Sequence, residues 1–175
     1  MTKRPSLRSG VAVFALRLVN SASRRFGLGQ GTVAGGAATN TTGSNMSAGL
    51  VAALAADRRA LTVLEVDEAY LPLVAPLVNP EVIVLLNLSR DQLDRATEVR
   101  VLAEKWRSCL HVTNATVVAN SADPLVVYAA IAQMDSKVVW CDAGTSWTLD
   151  ARSCPQCTEP LNPLGMWRCV CGFAK

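Results

Sequence analysis

The chain has 175 residues, of which 50% are apolar and 18% are charged, and its formal net charge at pH 7 is +3. This length leaves room for one ordinary domain and a small additional module, and the apolar content excludes a largely disordered chain. The mild charge argues against a nucleic-acid-binding protein, because such proteins carry a pronounced basic patch. Since no apolar run reaches the roughly 18 residues that a membrane-spanning helix requires, we expect a cytoplasmic protein.

The first predicted element is an amphipathic helix over residues 5–26. Leu7, Phe14 and Leu18 fall near one face of that helix, and the arginines of the segment lie off it. The helix would either pack on its own domain or lie on a partner or on an anionic membrane surface. The second possibility predicts a peripheral contact with the inner face of the membrane.

A glycine-rich segment over residues 27–49 follows this helix and carries almost no charge. It is typical of a flexible linker, or of a loop whose backbone N–H groups approach a ligand. A phosphate-binding loop would require the pattern G-x-x-x-x-G-K-[ST] after a strand. No Gly-Lys pair occurs in the chain, which excludes this loop. We assign residues 1–38 to the N-terminal helix and linker.

The middle of the chain alternates between helical and strand-like patterns. The alternation predicts an α/β domain with a mainly parallel sheet over residues 39–152. Its predicted elements are a helix over 45–56 capped by Ser44, a strand over 61–65, a short helix over 70–74 limited by Pro72 and Pro76, a strand over 82–86, a helix after Asp91 to about Leu110, a strand over 116–119, a helix over 125–134 and a strand over 137–141.

Polar residues follow the predicted strands at the point where each strand ends. Glu65 and Asp67 end the strand that begins at Leu61, and Asn87 ends the next one. Asp123 follows the third strand as a helix N-cap. Because ligands of open α/β sheets bind beyond the carboxyl ends of the strands, these groups predict a ligand site. The alternative is that they are helix caps and solvated turns.

Four of the six cysteines crowd into the last 22 residues, at Cys154, Cys157, Cys169 and Cys171. Two closely spaced pairs of thiolates are typical of a tetrahedral zinc site, and four cysteines leave no open position for a water molecule. We therefore predict a structural Zn²⁺ in a four-cysteine zinc ribbon over residues 153–175. The alternatives are reduced cysteines without a metal, or disulfides.

The strand-end phrases together resemble the central domain of the Mur ligase family, the ATP-dependent enzymes of peptidoglycan synthesis. They are Glu65–Glu68, Asn87–Arg95 and Asn120–Pro124, and the loop Thr39–Met46 fits the same pattern. Gln92 and the cysteine ribbon after the fourth strand resemble one branch of that family. This branch comprises the MurT-like ligase subunits of lipid II isoglutaminyl synthase, whose partner is a GatD-type glutamine amidotransferase.

The resemblance implies an activity. In the family, ATP activates the α-carboxylate of D-glutamate in the lipid II stem peptide to an acyl phosphate, and ammonia from the glutaminase partner converts it to D-isoglutamine. By the same resemblance Glu65 would help to hold Mg²⁺ near the γ-phosphate of ATP. The other implied contacts are Asp91, Gln92, Asp94 and Arg95 for a second metal and the phosphates, Asn120 and Asp123 for the adenine and ribose, and Thr42 and Asn45 for the phosphates or the substrate. An exposed charge pair at a helix N-terminus is the alternative for Asp94 and Arg95.

The chain departs from the family pattern in two places. The family has a strand and a Gly-Thr-Asn-Gly-Lys-Thr-Thr loop where this chain runs from Gly36 directly into Ala37. The family also continues into a C-terminal domain that supplies a catalytic Asp. We therefore assign no catalytic residue and expect this chain alone to bind ATP weakly and to turn over little or nothing. The alternative function is a non-catalytic, zinc-containing α/β module that binds a partner.

Overall fold

The computed structural model describes residues 11–17, 38–39, 61–88, 96–144, 153–161 and 167–174. Within these ranges the chain forms strands and helices that we number in chain order. They are β1 (Val11–Arg17), β2 (Ala38–Thr39), β3 (Leu61–Asp67), α1 (Leu71–Val78), β4 (Val82–Leu85), α2 (Ala96–Val112), β5 (Thr116–Asn120), α3 (Pro124–Ala130) and β6 (Val138–Cys141), with a 3₁₀ turn at Asp135–Lys137 before β6.

The described strands form one sheet in the order β2-β3-β1-β4-β5-β6. β4, β5 and β6 are mutually parallel, and β2 is parallel to β3. β1 lies between β3 and β4 and is antiparallel to both, so the strands on its two sides share one direction. The predicted α/β class is therefore confirmed, with a three-stranded parallel region at its β4–β6 side.

The prediction of a helix over residues 5–26 is wrong for Val11–Arg17, which form β1. A short apolar run that contains Val, Ala, Phe and Leu does not by its periodicity distinguish a helix from a buried strand. This segment forms a strand because it pairs along its whole length with β3 and over four residues with β4. The rest of the predicted helix lies outside the described residues, as does the helix predicted over 45–56.

α1 is longer than predicted, because it continues through Pro76 to Val78. Its inward residues Leu71, Val74 and Ala75 are buried, and this packing outweighs the loss of the backbone donor at Pro76. The helix ends at Asn79, which adopts the left-handed conformation (φ 47°) that closes helix C-termini.

One face of the sheet carries the core. Alternate residues of β3, β4 and β5 are fully buried, and they join the buried residues of all three helices in a single cluster. Trp106 of α2 is completely buried in it, and its indole N–H donates to the carbonyl of Glu68 (2.8 Å). Residues such as Val84 and Val118, on the opposite face, are half-exposed. In the part of the chain that the structure describes, no helix has the length and apolar character that crossing a bilayer would take.

Candidate functional site

The carboxyl ends of four strands meet at one edge of the sheet. Asn120 of β5 is in register with Cys141 of β6, and Asp67 ends β3 opposite Val11, where β1 begins. Asn87 follows β4 by two residues and reaches the same edge through a hydrogen bond to Asn120 (2.9 Å). We call this edge, formed by Asp67, Asn87, Asn120 and Cys141, the strand-end edge.

Asn120 is buried at the centre of this edge, with 1% of its surface exposed. Its Nδ2 donates to Oδ1 of Asn87 and to the carbonyl of Gly144, both at 2.9 Å. Its Oδ1 accepts from the N–H groups of Ala122 (3.0 Å) and Ala143 (3.1 Å). These four bonds use the donors and acceptors of the amide, so Asn120 joins the loops after β4, β5 and β6.

Asp123 is buried and caps α3, as the sequence predicts. Its Oδ1 accepts from the N–H groups of Leu125 (2.8 Å) and Val126 (3.3 Å), which have no partner within the helix. Its Oδ2 accepts from the N–H of Leu88 (2.8 Å), beyond the end of β4. One carboxylate therefore fixes the start of α3 against the segment that leads into residues 89–95.

Glu65 and Asp67 lie on the face of β3 that points away from the three helices, since Leu64 and Val66 between them are buried in the core. Glu65 is exposed and lies beside Val13 of β1 in the sheet register. Oδ1 of Asp67 accepts from the N–H of Ala69 (2.9 Å) and so forms the turn into α1. An exposed carboxylate at Glu65 is chemically suited to a hard cation such as Mg²⁺.

The structure thus describes three of the predicted nucleotide-site residues, of which Asn120 and Asp123 are held in protein hydrogen bonds. The others lie outside the described residues: Thr42, Asn45, Asp91, Gln92, Asp94 and Arg95. The sequence did not predict a role for the loop after β6, residues 142–144, whose backbone completes the bonds of Asn120. Its only signal is a turn-like Asp-Ala-Gly after the fourth strand, where Gly144 takes a positive φ of 68°.

β1 runs in the wrong direction to deliver a phosphate-binding loop to the strand-end edge. Such a loop follows the carboxyl end of its strand and opens a helix. β1 instead begins at this edge and ends at the far one, where Arg17 pairs with Leu61 at the start of β3. Ala38 of β2 also lies near the start of β3, beside Thr62. The end of β1 and the start of β2 therefore both lie at the far edge of the sheet.

The four C-terminal cysteines form a compact cluster, with their Sγ atoms all within 4.8 Å of one another. The sulfurs of Cys154 and Cys171 are 3.6 Å apart, and those of Cys157 and Cys169 are 3.3 Å apart. A tetrahedral zinc ion with Zn–S bonds of about 2.3 Å holds its sulfurs about 3.8 Å apart, so the cluster fits a metal of this kind. The four cysteines are not joined in disulfides, so that alternative is not realised.

Two tight turns present these sulfurs. The first is closed by the N–H of Thr158 donating to the carbonyl of Cys154 (2.9 Å), and the second by the N–H of Gly172 donating to that of Cys169 (3.0 Å). Thr158 (φ 68°) and Gly172 (φ 94°) both adopt the left-handed backbone region. At Gly172 a side chain would be strained, which explains why glycine follows the last cysteine.

The surroundings of the thiols shift their pKa values in different directions. Burial raises the pKa of Cys154. For Cys157 the backbone N–H of Glu159 acts to lower the pKa, but the Cys169 thiol and burial outweigh it and raise the pKa to about 12. The backbone N–H of Phe173 lowers the pKa of Cys171 to about 7. Because a metal binds thiolates, an ion here would displace protons from Cys154 and Cys157 at neutral pH.

The chain is similar to known proteins of one kind, which are the MurT subunits described below. No family model matches the chain. It is 28% identical over 152 residues to the MurT subunit of the glutamine-hydrolysing lipid II isoglutaminyl synthase of Staphylococcus aureus strains COL and N315, covering 78% of this chain and 35% of each relative. It is 32% identical over 93 residues to the corresponding subunit of Streptococcus pneumoniae strain R6, covering 50% of this chain and 21% of that relative. The chain thus spans about a third of the length of the staphylococcal relatives. It is similar to MurT subunits over most of its own length, and the predicted resemblance to the MurT-like Mur ligases is confirmed.

Proposed function

We propose that the chain is a MurT-like ligase subunit of peptidoglycan synthesis. With a GatD-type glutaminase and ATP, it would amidate the D-glutamate α-carboxylate of lipid II to D-isoglutamine. The observation that carries this proposal is the similarity to MurT subunits over 78% of the chain, which spans the strand-end motifs. The proposed location is the cytoplasm, at the inner face of the membrane, where a lipid-linked substrate is within reach.

Individual residues would have different roles at the proposed nucleotide site. Glu65, exposed on the face of β3 away from the helices, would hold Mg²⁺ and so neutralise charge on the transferred phosphoryl group. Asn120 and Asp123 would act by holding the loops around the nucleotide, because protein N–H and carbonyl groups already fill their hydrogen bonds. The contacts proposed for residues outside the described ranges stay those implied by the family: Thr42, Asn45, Asp91, Gln92, Asp94 and Arg95.

Nucleotide binding by this chain alone is expected to be weak. The chain has no Gly-Lys pair to supply the phosphate-binding lysine, and β1 enters the site from the wrong direction for a phosphate-binding loop. The backbone N–H groups and the lysine of such a loop normally bind most of the phosphate charge. Without them the remaining contacts would hold Mg-ATP at about millimolar affinity, and little or no turnover is expected.

We further propose that the four clustered cysteines hold Zn²⁺ in a structural role. Four thiolates close the coordination shell and leave no position for water, so an ion here would stabilise the module rather than act on a substrate. Zinc is favoured over harder cations because thiolates are soft ligands.

A second function has support from one observation. Asn120 and Asp123 make structural hydrogen bonds, which is what a non-catalytic, metal-containing α/β module that binds a partner would also show. In that case the strand-end edge would keep its fold and no nucleotide would bind there.

One titration separates the two functions. Mg-ATP is added to the purified, metal-loaded chain by calorimetry, with and without a GatD-type glutaminase. A ligase subunit predicts saturable binding in the millimolar range or tighter, which Glu65→Ala abolishes. Glu81→Ala is the matched control, because Glu81 is an exposed carboxylate just before β4, at the opposite edge. Absence of binding in both mixtures would leave only the partner-binding module.

A further inference from the structure

The metal-binding module, by which we mean residues 153–161 and 167–174, packs on α3 through a row of aromatic rings. Phe173 meets Tyr128 of α3 edge-on, with ring centroids 6.2 Å apart and an interplanar angle of 77°. Trp167 also contacts Phe173, with ring centroids 4.9 Å apart and the ring planes tilted by 33°. All three rings are buried in the same core cluster as the sheet, so the module and the α/β domain share one core.

Tyr128 is fixed by α2 as well as by the module. The guanidinium of Arg107 lies 4.8 Å from the centre of its ring and donates to its backbone carbonyl (2.6 Å). Its hydroxyl donates to the carboxylate of Glu104 (2.6 Å). A second link joins α2 to the module, where Arg100 donates to the carbonyl of Gln156 between the first two cysteines (3.5 Å).

The position of Phe173 depends on the cysteine cluster. The N–H of Cys169 donates to the carbonyl of Phe173 (2.7 Å), and Gly172 closes the turn that carries Cys171. Phe173 therefore follows directly from the turn that a bound metal would hold in place. Loss of the metal would remove that restraint and would weaken the ring contact with Tyr128.

α3 carries any change at Tyr128 to the strand-end edge. The helix has only seven residues, all of them buried, and it begins at the N-cap Asp123. The carboxylate of Asp123 holds the N–H of Leu88 at 2.8 Å. We expect this short, buried helix to move as one body, so a shift at Tyr128 would change the geometry of that bond.

We propose that Tyr128 is a positioning residue through which the metal-loaded module holds α3, and with it the Asp123–Leu88 junction of the strand-end edge. Metal occupancy would therefore change the geometry of the proposed nucleotide site, without any contact between the metal site and the nucleotide site. This inference rests on the metal site proposed above and is independent of whether the chain takes part in a ligase reaction.

The test is amide hydrogen exchange of the isotope-labelled chain, followed by NMR with and without zinc. The reporters are the N–H groups of Leu88, Leu125 and Val126, which all bond to Asp123. Chelation should speed their exchange about twofold to tenfold, the range expected for the loss of one edge-to-face aromatic contact. The strand amides of Val84 and Val118 serve as the reference and should not change.

Two variants make the test specific. Phe173→Ala removes the ring contact, and with zinc bound its reporters should exchange as fast as those of the chelated wild type. Tyr128→Phe keeps both ring contacts and loses only the bond to Glu104, so it should retain the response to zinc. If Phe173→Ala does not fold, Tyr128→Leu removes the same contact from α3 and should give the same result.

Several results would overturn the coupling. One is unchanged exchange at the reporters after chelation of a chain shown by metal analysis to have held zinc. Another is equal acceleration at the reporters and at Val84 and Val118, which would mean that the metal stabilises the fold as a whole. A third is a normal zinc response in the variant that lacks the ring contact. A chain that never binds zinc would refute the metal site itself, which metal analysis distinguishes from these results.

Discussion

Replacement of Asp123 should destabilise the fold more than loss of a helix cap alone. Asp123→Ala removes the acceptor for Leu125 and Val126 and also leaves the N–H of Leu88 without its partner. Loss of an N-cap costs about 0.5–2 kcal/mol. A buried donor left without an acceptor costs a further 1–3 kcal/mol or so. The free energy of unfolding should therefore fall by about 1.5–5 kcal/mol, a large part of the stability of a domain of this size.

Two milder variants divide this loss. Asp123→Ser can still cap α3, but its side chain is too short to reach Leu88, so it should lose only the second contribution. Asp123→Asn keeps one oxygen for the cap and turns an N–H group towards Leu88 or towards the helix. Urea unfolding monitored by tryptophan fluorescence measures all three, with Asp135→Ala, in the exposed turn before β6, as the control. A loss below about 0.5 kcal/mol for Asp123→Ala would refute the proposed double role.

Three further predictions concern the neighbouring features. Asn120→Ala removes four hydrogen bonds, three of which join different strand-end loops, and should lower the free energy of unfolding in urea by about 2–4 kcal/mol. An unchanged unfolding midpoint would contradict the role of Asn120. Metal analysis should find one zinc per chain. The zinc should be lost in Cys154→Ser and retained in Cys141→Ser, because Cys141 is outside the cluster. Equal metal content in the two variants would disprove the site. Burial, and then the bond to Glu104, raises the pKa of Tyr128 above its usual value of 10, so the folded state keeps a proton that the unfolded state loses. Stability should therefore fall as the pH rises above about 10, and an ultraviolet titration should show a late-ionising tyrosine that is absent in Tyr128→Phe. A tyrosine signal that is complete by pH 10 in the wild type would contradict this.

The features that the sequence predicted well are those set by neighbouring residues. The strands from Leu61, Val82, Thr116 and Val138 have apolar runs bounded by polar residues, and that pattern is local. The cap at Asp123 is equally local, because an Asp followed by Pro124 is a helix start in almost any setting. The cysteine cluster also follows from spacing alone.

The features that the sequence did not predict depend on distant partners. The composition of Val11–Arg17 is compatible with either a helix or a strand. The segment forms a strand because it pairs with β3 on one side and β4 on the other. The bonds of Asn120 to Asn87 and to residues 143–144 were not predicted, because no local sequence pattern links those residues to Asn120. Sequence motifs identified the edge where polar residues gather. The motifs did not distinguish side chains that connect the strand-end loops by hydrogen bonds from side chains that can bind a ligand.

The most direct test of the account is to locate Mg-ATP on the chain. The isotope-labelled, zinc-loaded chain is titrated with Mg-ATP in the presence of a GatD-type glutaminase, and the amide chemical shifts are followed by NMR. We expect saturable changes at the strand-end edge, in residues 65–69, 87–88, 120–126 and 142–144, which Glu65→Ala should remove. Changes confined to the opposite edge, around Glu81 and Thr116, or no saturable change at all, would contradict it.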